Sequence, residues 1–360
     1  MLNYEQFKEQ FTEDLKKNLE GAGFNIEKVD VIPTEKLQQG TYDAVTVRLE
    51  DSFVGPSGNL TDVFEAYERS GGNYDALLTH VTEKFTDAIE NMPIYDANQL
   101  TDYAFIKDKL VLEVVNAEKN EQMLENIPHK SIEDLAIVYR AQLGRDEDGI
   151  ATVLITNQML EKMDITAEQL HHDAVESAQE LKPVTVNTIM GEIAELVGDD
   201  FDPGIETGGP MDNILVGSVA DKNHGASVIA YPEFFDDMAN KLGENFYIIP
   251  SSIHEVLIVP ESMGTDINAL KDMIEQVNAT ELRPEDVLSN NLYHYDAQDK
   301  VFEIAEKFEA RQAEKQAEKE ANPKRESAVK KLKDTEKAVA KEPPKKEIKP
   351  RVKDRGDQAI

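Results

Sequence analysis

At 360 residues, with 40% hydrophobic side chains and a formal charge of −33, the chain has the length for one large or two ordinary domains around a packed core. It contains no cysteine, which excludes disulfides, thiolate metal sites and a cysteine nucleophile. Its longest apolar runs, such as IATVLI and EVLIVP, fall far below the roughly 20 residues that cross a bilayer, and its polar, amphipathic start lacks the pattern of a signal peptide, so the expectation is a cytoplasmic protein with no membrane segment.

In chain order, Tyr4, Phe7, Phe11, Leu15 and Leu19 fall on one face of a helix that Asn3 and Gln6 cap reciprocally and Gly21 ends. GFNIEKVDVIP and TYDAVTVRLED then alternate as strands, with Val45, Val47 and Leu49 on one face, and predict a hairpin. After VFEAYERSGG, a second amphipathic helix is marked by Leu77, Leu78, Val81, Phe85 and Ile89 and closes before Pro93. Residues 1–95 read as an N-terminal α+β subdomain.

Beyond it, KLVLEVVN reads as a strand, AEKNEQMLENIP as a short helix, and DLAIVYRAQLG and GIATVLITN as strands joined by the acidic turn RDED. Two helical stretches follow, TAEQLHHDAVESAQEL with Thr166 as its cap and TVNTIMGEIAELVG ending at Gly198. DDFDPGIETGGPMDN, rich in Gly, Pro and acid, reads as an exposed loop or internal boundary. NILVGSV and ASVIAY are then expected as strands around the turn ADKNHG, and Pro232 opens a helix that Gly243 stops. NFYIIP and IHEVLIVP are expected as strands around Ser251 and Ser252, DINALKDMIEQVNA as a helix and NLYHYDAQDKVFEI as a last hairpin. This order argues for an α+β fold with antiparallel or mixed sheets and packed helices, with a core over 96–304.

The segment 305–360 changes character. It carries 17 Lys and Arg against 12 Asp and Glu, which leaves 21 basic and 59 acidic residues in 1–304, so a body of about −38 is followed by a tail of about +5. AEKFEARQAEKQAEKEA can form a charged helix through Glu-to-Lys pairs, and the basic, proline-punctuated remainder is expected to be disordered. So acidic a body repels a phosphate backbone, so nucleic acid is an expected partner only for the tail, and a basic protein is the partner expected for the body.

The candidate chemistry is sparse. His254 and Glu255 start a zinc-protease pattern, but Ile258 stands where the second histidine is needed, and on a strand the two side chains would diverge. Ser251, Ser252 and His254 are the best catalytic candidates the sequence offers, although no nucleophile-elbow motif surrounds them. His171 and His172 are helix neighbours that do not share a face, and His129 sits at a junction after Pro128. DEDG and GDDFDPG lack the ligand spacing of a calcium loop, and ETGGPMD lacks the Lys and Ser or Thr of a phosphate loop. No metal and no cofactor is therefore expected.

The stretch GASVIAYPEFFDDMANKLGENFYIIPSSIHEVLIVP resembles the hallmark of the bacterial family called domain of unknown function 5688. KLVLEVVNAEKNEQMLENIPHKSIEDLAIVYR and ATVLITNQMLEKMDITAEQLHHDAV are similar to its middle part, and the pattern more distantly resembles domain of unknown function 1444. The resemblance covers about 1–304. It sharpens the expected fold but carries over no activity or site residue. The functional expectation is an accessory protein that acts by interaction, with a hydrolase or small-ligand enzyme centred on Ser251 to His254, and an acidic mimic of DNA, as alternatives.

Overall fold

The computed structural model describes residues 1–50, 55–91, 99–145, 150–198 and 210–321. The turn DEDG, nearly all of GDDFDPG, most of ETGGPMD, the boundary near residue 95 and the tail beyond 321 lie outside the described residues. Met1–Ala305 forms one compact body, and Glu306–Ile360 a second unit whose described part is the helical run to Ala321.

The amino-terminal helix α1 (Tyr4–Gly21) buries Phe7, Phe11, Leu15 and Leu19, the four-residue spacing that sequence periodicity requires, and Asn3 and Gln6 close the expected capping box. It packs with β1 (Ile26–Lys36), β2 (Gly40–Leu49) and β3 (Ser57–Asn59), an antiparallel three-stranded sheet, and with α2 (Leu60–Arg69) and α3 (Tyr74–Glu90). Their shared core joins the α1 aromatics to Val45, Val47, Tyr67, Val81 and Phe85.

The β1–β2 turn reaches out of this layer. Leu37 is buried with Val115, Leu124, Ile127 and Val138, and Gln38 takes a left-handed backbone (φ 67°) that carries its amide inward. Its Nε2 donates to the Val287 carbonyl at 3.0 Å, while its Oε1 accepts from the Asn116 N–H at 3.1 Å and Asn120 Nδ2 at 2.7 Å.

The second sheet holds β4 (Leu110–Asn116), β5 (His129–Ile132), β6 (Leu135–Arg145) and β7 (Ile150–Leu154), with β4 on one side of β6 and β5 and β7 on the other. The short helix α4 (Tyr103–Ile106) leads into these strands, α5 (Glu121–Leu124) lies between β4 and β5, and α6 (Asn157–Met163) and α7 (Ala167–Leu181) follow them. The third sheet contains β8 (Val184–Thr188), β9 (Leu215–Val219), β10 (Phe246–Ile249), β11 (Val256–Pro260), β12 (Tyr293–Asp296) and β13 (Val301–Ile304) in the order β13-β12-β10-β11-β9-β8. All its pairs are antiparallel. Three helices accompany it, α8 (Ile189–Val197), α9 (Phe234–Leu242) and α10 (Ile267–Thr280), before α11 (Ala305–Ala321). The second and third sheets share one core in which Leu112, Val114, Ile137 and Tyr139 meet Leu215, Phe246, Ile248, Val256 and Ile258. The fold is α+β.

Three local expectations change. TVNTIMGEIAELVG is a strand followed by a helix, because Val184, Thr185, Val186 and Thr188 favour the extended ladder with β9, and the Thr188 hydroxyl accepts the Gly191 N–H at 3.0 Å to start α8 there. ASVIAY is no strand: Gly225–Ala230 forms a 3-10 turn that is buried from Gly225 to Ile229. His254 and Glu255 stand just before β11 and outside its ladder, so the divergence of strand side chains does not govern them.

Candidate functional site

The family-like stretch brings His254 to a polar cluster that links β4 and β6 of the second sheet to the turn after β9 of the third. The cluster begins with a charge where sequence pattern allows none: β4 is buried from Leu110 to Val115, yet its centre is Glu113, 6% exposed. A carboxylate there requires a partner. Arg140, two residues along β6 from the register mate Val138, supplies it, its Nε donating to Glu113 Oε2 at 2.8 Å. Arg140 also donates to the Thr152 hydroxyl at 3.3 Å.

The other Glu113 oxygen lies 3.5 Å from His224 Nε2. His224 has a left-handed backbone (φ 53°) in the turn after β9, and its N–H donates to His254 Nδ1 at 3.3 Å. The two imidazoles lie 5.8 Å apart, inclined by 51°. His254 Nε2 then lies 3.5 Å from Asp286 Oδ1, and Arg283 braces Asp286 through a 2.9 Å contact. Burial pushes the His224 pKa down, the Glu113 carboxylate opposes this, and Arg140, Lys182 and His254 add to it.

The backbone around the pair is tight. A Cβ on Gly225 would lie 2.0 Å from Ser218 Oγ and 2.2 Å from the His254 carbonyl oxygen, so only glycine lets these segments meet. The Ser218 hydroxyl donates to that same carbonyl at 2.8 Å. Lys182, at the end of α7, is buried and donates to the Asn223 carbonyl at 2.8 Å, with Asp221 at 3.5 Å.

Ser251, Ser252 and His254 therefore sit together in one turn, with specific partners. Ser252 Oγ accepts the backbone N–H of His254 at 3.0 Å, and the Ser251 hydroxyl donates to Glu255 Oε1 at 3.2 Å. The Ile253 N–H donates to the Asp286 carbonyl at 2.9 Å, and the Ala226 N–H to the Ile253 carbonyl at 3.2 Å. Glu113, Arg140, His224 and Asp286 were missed from sequence. Only Glu113 carried a signal there, a charge inside an otherwise apolar strand.

The remaining histidine candidates separate. His171 Nδ1 lies 3.0 Å from the Tyr139 hydroxyl, and its Nε2 3.1 Å from Lys130 Nζ. His172 turns outward to Asp173 and Glu176, and the ligand atoms of these three residues lie within 4.8 Å of one another. This is the grouping among the described residues that could hold a cation. Asp173 is, however, already engaged by the Tyr103 hydroxyl and by Lys107 at 3.4 Å. Burial pushes its pKa up, but hydrogen bonds from Tyr103, Gln169 and His172 together with Lys107 hold it near 2. His129 Nδ1 lies 3.2 Å from the Ile127 carbonyl oxygen, which fits the turn role its position suggests.

A family model for proteins of unknown function, DUF5688, matches residues 4–297. The chain belongs to DUF5688. No curated protein and no solved structure matches it. In this DUF5688 protein the matched span takes in every residue of the Glu113, Arg140, His224, His254 and Asp286 cluster. No helix among the described residues is long and apolar enough to cross a membrane.

Proposed function

We propose that this DUF5688 protein is an accessory protein that works by binding a protein partner, with the polar cluster serving to hold the binding surfaces in place. The observation that carries this reading is the engagement of the candidate catalytic groups. His254 Nδ1 accepts the His224 N–H, its Nε2 faces Asp286, and the Ser252 oxygen accepts a backbone N–H. A serine mechanism needs an imidazole nitrogen within hydrogen-bond reach of the hydroxyl as proton acceptor. Here both nitrogens and the hydroxyl tie together the turn after β9, the turn before β11 and the loop at Asp286. The acidic composition of residues 1–304 supports a partner with a basic surface.

One observation favours a second reading, a hydrolase or small-ligand enzyme: Asp286 stands behind His254 as an orienting carboxylate stands behind a catalytic histidine. A single experiment separates the two. The full chain is incubated with a fluorophosphonate, which forms an ester with activated serines, and read by mass spectrometry, while His254→Ala and Ser252→Ala are followed by thermal and urea melts. The expected result is no adduct at Ser251 or Ser252 and, for His254→Ala, a loss of about 1–3 kcal/mol from unpaired buried groups. An adduct on Ser252 that disappears in His254→Ala would overturn the binding reading.

A further inference from the structure

The third sheet ends on β8, and among the described residues no strand pairs with its outer side. The ladder fixes which backbone groups face outward. The Ala220 N–H donates to the Pro183 carbonyl at 3.1 Å and the Ile189 N–H to the Ile214 carbonyl at 3.0 Å, so odd-numbered residues of β8 bond to β9. Val184 and Val186 consequently turn their N–H and C=O groups to the open side. The outward Thr188 N–H is already taken by Asn187 Oδ1 at 3.0 Å.

This edge is bordered by apolar surface. Leu181 is 43% exposed, Val184 40%, Ile193 36%, Leu196 88% and Val197 43%, and no residue of α8 is buried. Lys222 follows Val219, the register mate of Val184, and its ammonium contacts both Glu192 and Glu195 of α8. The helix must therefore fold back along the sheet and bring Leu196 and Val197 toward the Leu181–Val184 end. Exposed apolar residues near an edge strand mark an interaction site. The rim is acidic: Glu176 and Glu195 are 66% and 64% exposed, and Glu180 leads directly into Leu181.

We propose that this edge receives an extended segment of a partner protein as an added strand beside β8, with apolar residues of that segment alternating with lysine or arginine. Main-chain bonds to Val184 and Val186 supply the pairing, alternate side chains meet Leu196 and Val184, and the basic ones meet the glutamate rim. Charge decides against a second copy of the chain as the occupant, because each body carries about 59 carboxylates against 21 cations over residues 1–304. The proposal rests on the binding reading above and names its surface.

The test uses the full chain and a fluorescent twelve-residue peptide of alternating valine and lysine, read by anisotropy. Two control peptides are compared: one of alternating valine and glutamate, and the valine–lysine peptide N-methylated at every second residue. The valine–lysine peptide is expected to bind, and both controls to bind at least about tenfold more weakly. Leu196→Asp removes the apolar contact at a position that buries nothing, and Val184→Pro removes an outward donor where an edge strand tolerates proline. Each is expected to weaken binding about tenfold with an unchanged circular dichroism spectrum.

Equal binding by the N-methylated peptide, or by Leu196→Asp, would reduce the interaction to unspecific charge and overturn the proposal, as would no binding at all. So would sedimentation of the full chain as a dimer that Leu196→Asp converts to monomer. None of these results touches the serine adduct, which alone overturns the binding reading, so the two failures remain distinct.

Discussion

His224 is the residue at which the local physics is most exposed to measurement. Its folded pKa lies below the ordinary histidine value of about 6.5, chiefly through burial. The unfolded chain therefore binds this proton first as the pH falls, so His224 lowers stability as pH drops below about 6.5 and has no effect above it. The groups facing it have mixed signs: Glu113 favours the charged ring, whereas Arg140, Lys182 and His254 disfavour it. Urea melts of the full chain between pH 7.5 and 5.5 should show stability falling with acid, by no more than about 1.4 kcal/mol per pH unit from this one group. His224→Asn keeps a residue that tolerates the left-handed backbone and removes the titration. The difference between wild type and variant should shrink toward acid; a constant difference would remove His224 as its source.

Among the elements, the β1–β2 hairpin shows a long-range tie that no short-range pattern announces. The link between the two strands of the expected hairpin is a tight turn, but Gln38 and Leu37 at its tip are buried against residues near 116, 120 and 287. Gln38→Ala would leave the Asn116 N–H and the Asn120 amide without that partner, at about 2–3 kcal/mol in urea denaturation. The neighbouring exposed Gln39→Ala should stay within about 0.5 kcal/mol.

The same contrast sets how much of the fold could be read from sequence. Helix α1 was legible to its cap because Phe7, Phe11, Leu15 and Leu19 repeat at one period and Asn3 and Gln6 are local. The hairpin of β12 and β13 was legible for similar reasons. Strand β8 was hidden because VTVNT runs straight into the helix-forming IMGEIAELV, and only its pairing with β9 separates them. The 3-10 turn at Gly225–Ala230 was hidden because its apolar, β-branched letters suit a strand, while the close packing of Gly225 is against Ser218 and His254, which no local pattern announces. At the site, only the turn holding Ser251, Ser252 and His254 could be found; the partners of the His254 ring, His224 and Asp286, come from loops thirty or more residues away.

For the whole molecule, charge acts on folding and on binding with opposite signs. Residues 1–304 carry 59 Asp and Glu against 21 Lys and Arg, so most carboxylates of the acidic body have no cation of their own to pair with. Compaction brings these charges together, and their mutual repulsion opposes folding most strongly where it is least screened. Raising salt from about 10 mM to about 150 mM shortens the Debye length from about 30 Å to about 8 Å. The melting temperature of the full chain should therefore rise over that range, unlike that of a protein stabilised mainly by surface ion pairs. A basic partner at the glutamate-rimmed edge is drawn by the same field, so its affinity should fall over the same range. A melting temperature that does not rise would mean that the carboxylates are locally compensated in the folded state. If the fold strengthens and peptide binding weakens in the same buffers, the acidic surface is acting as a load on the fold and as an attractor for its partner.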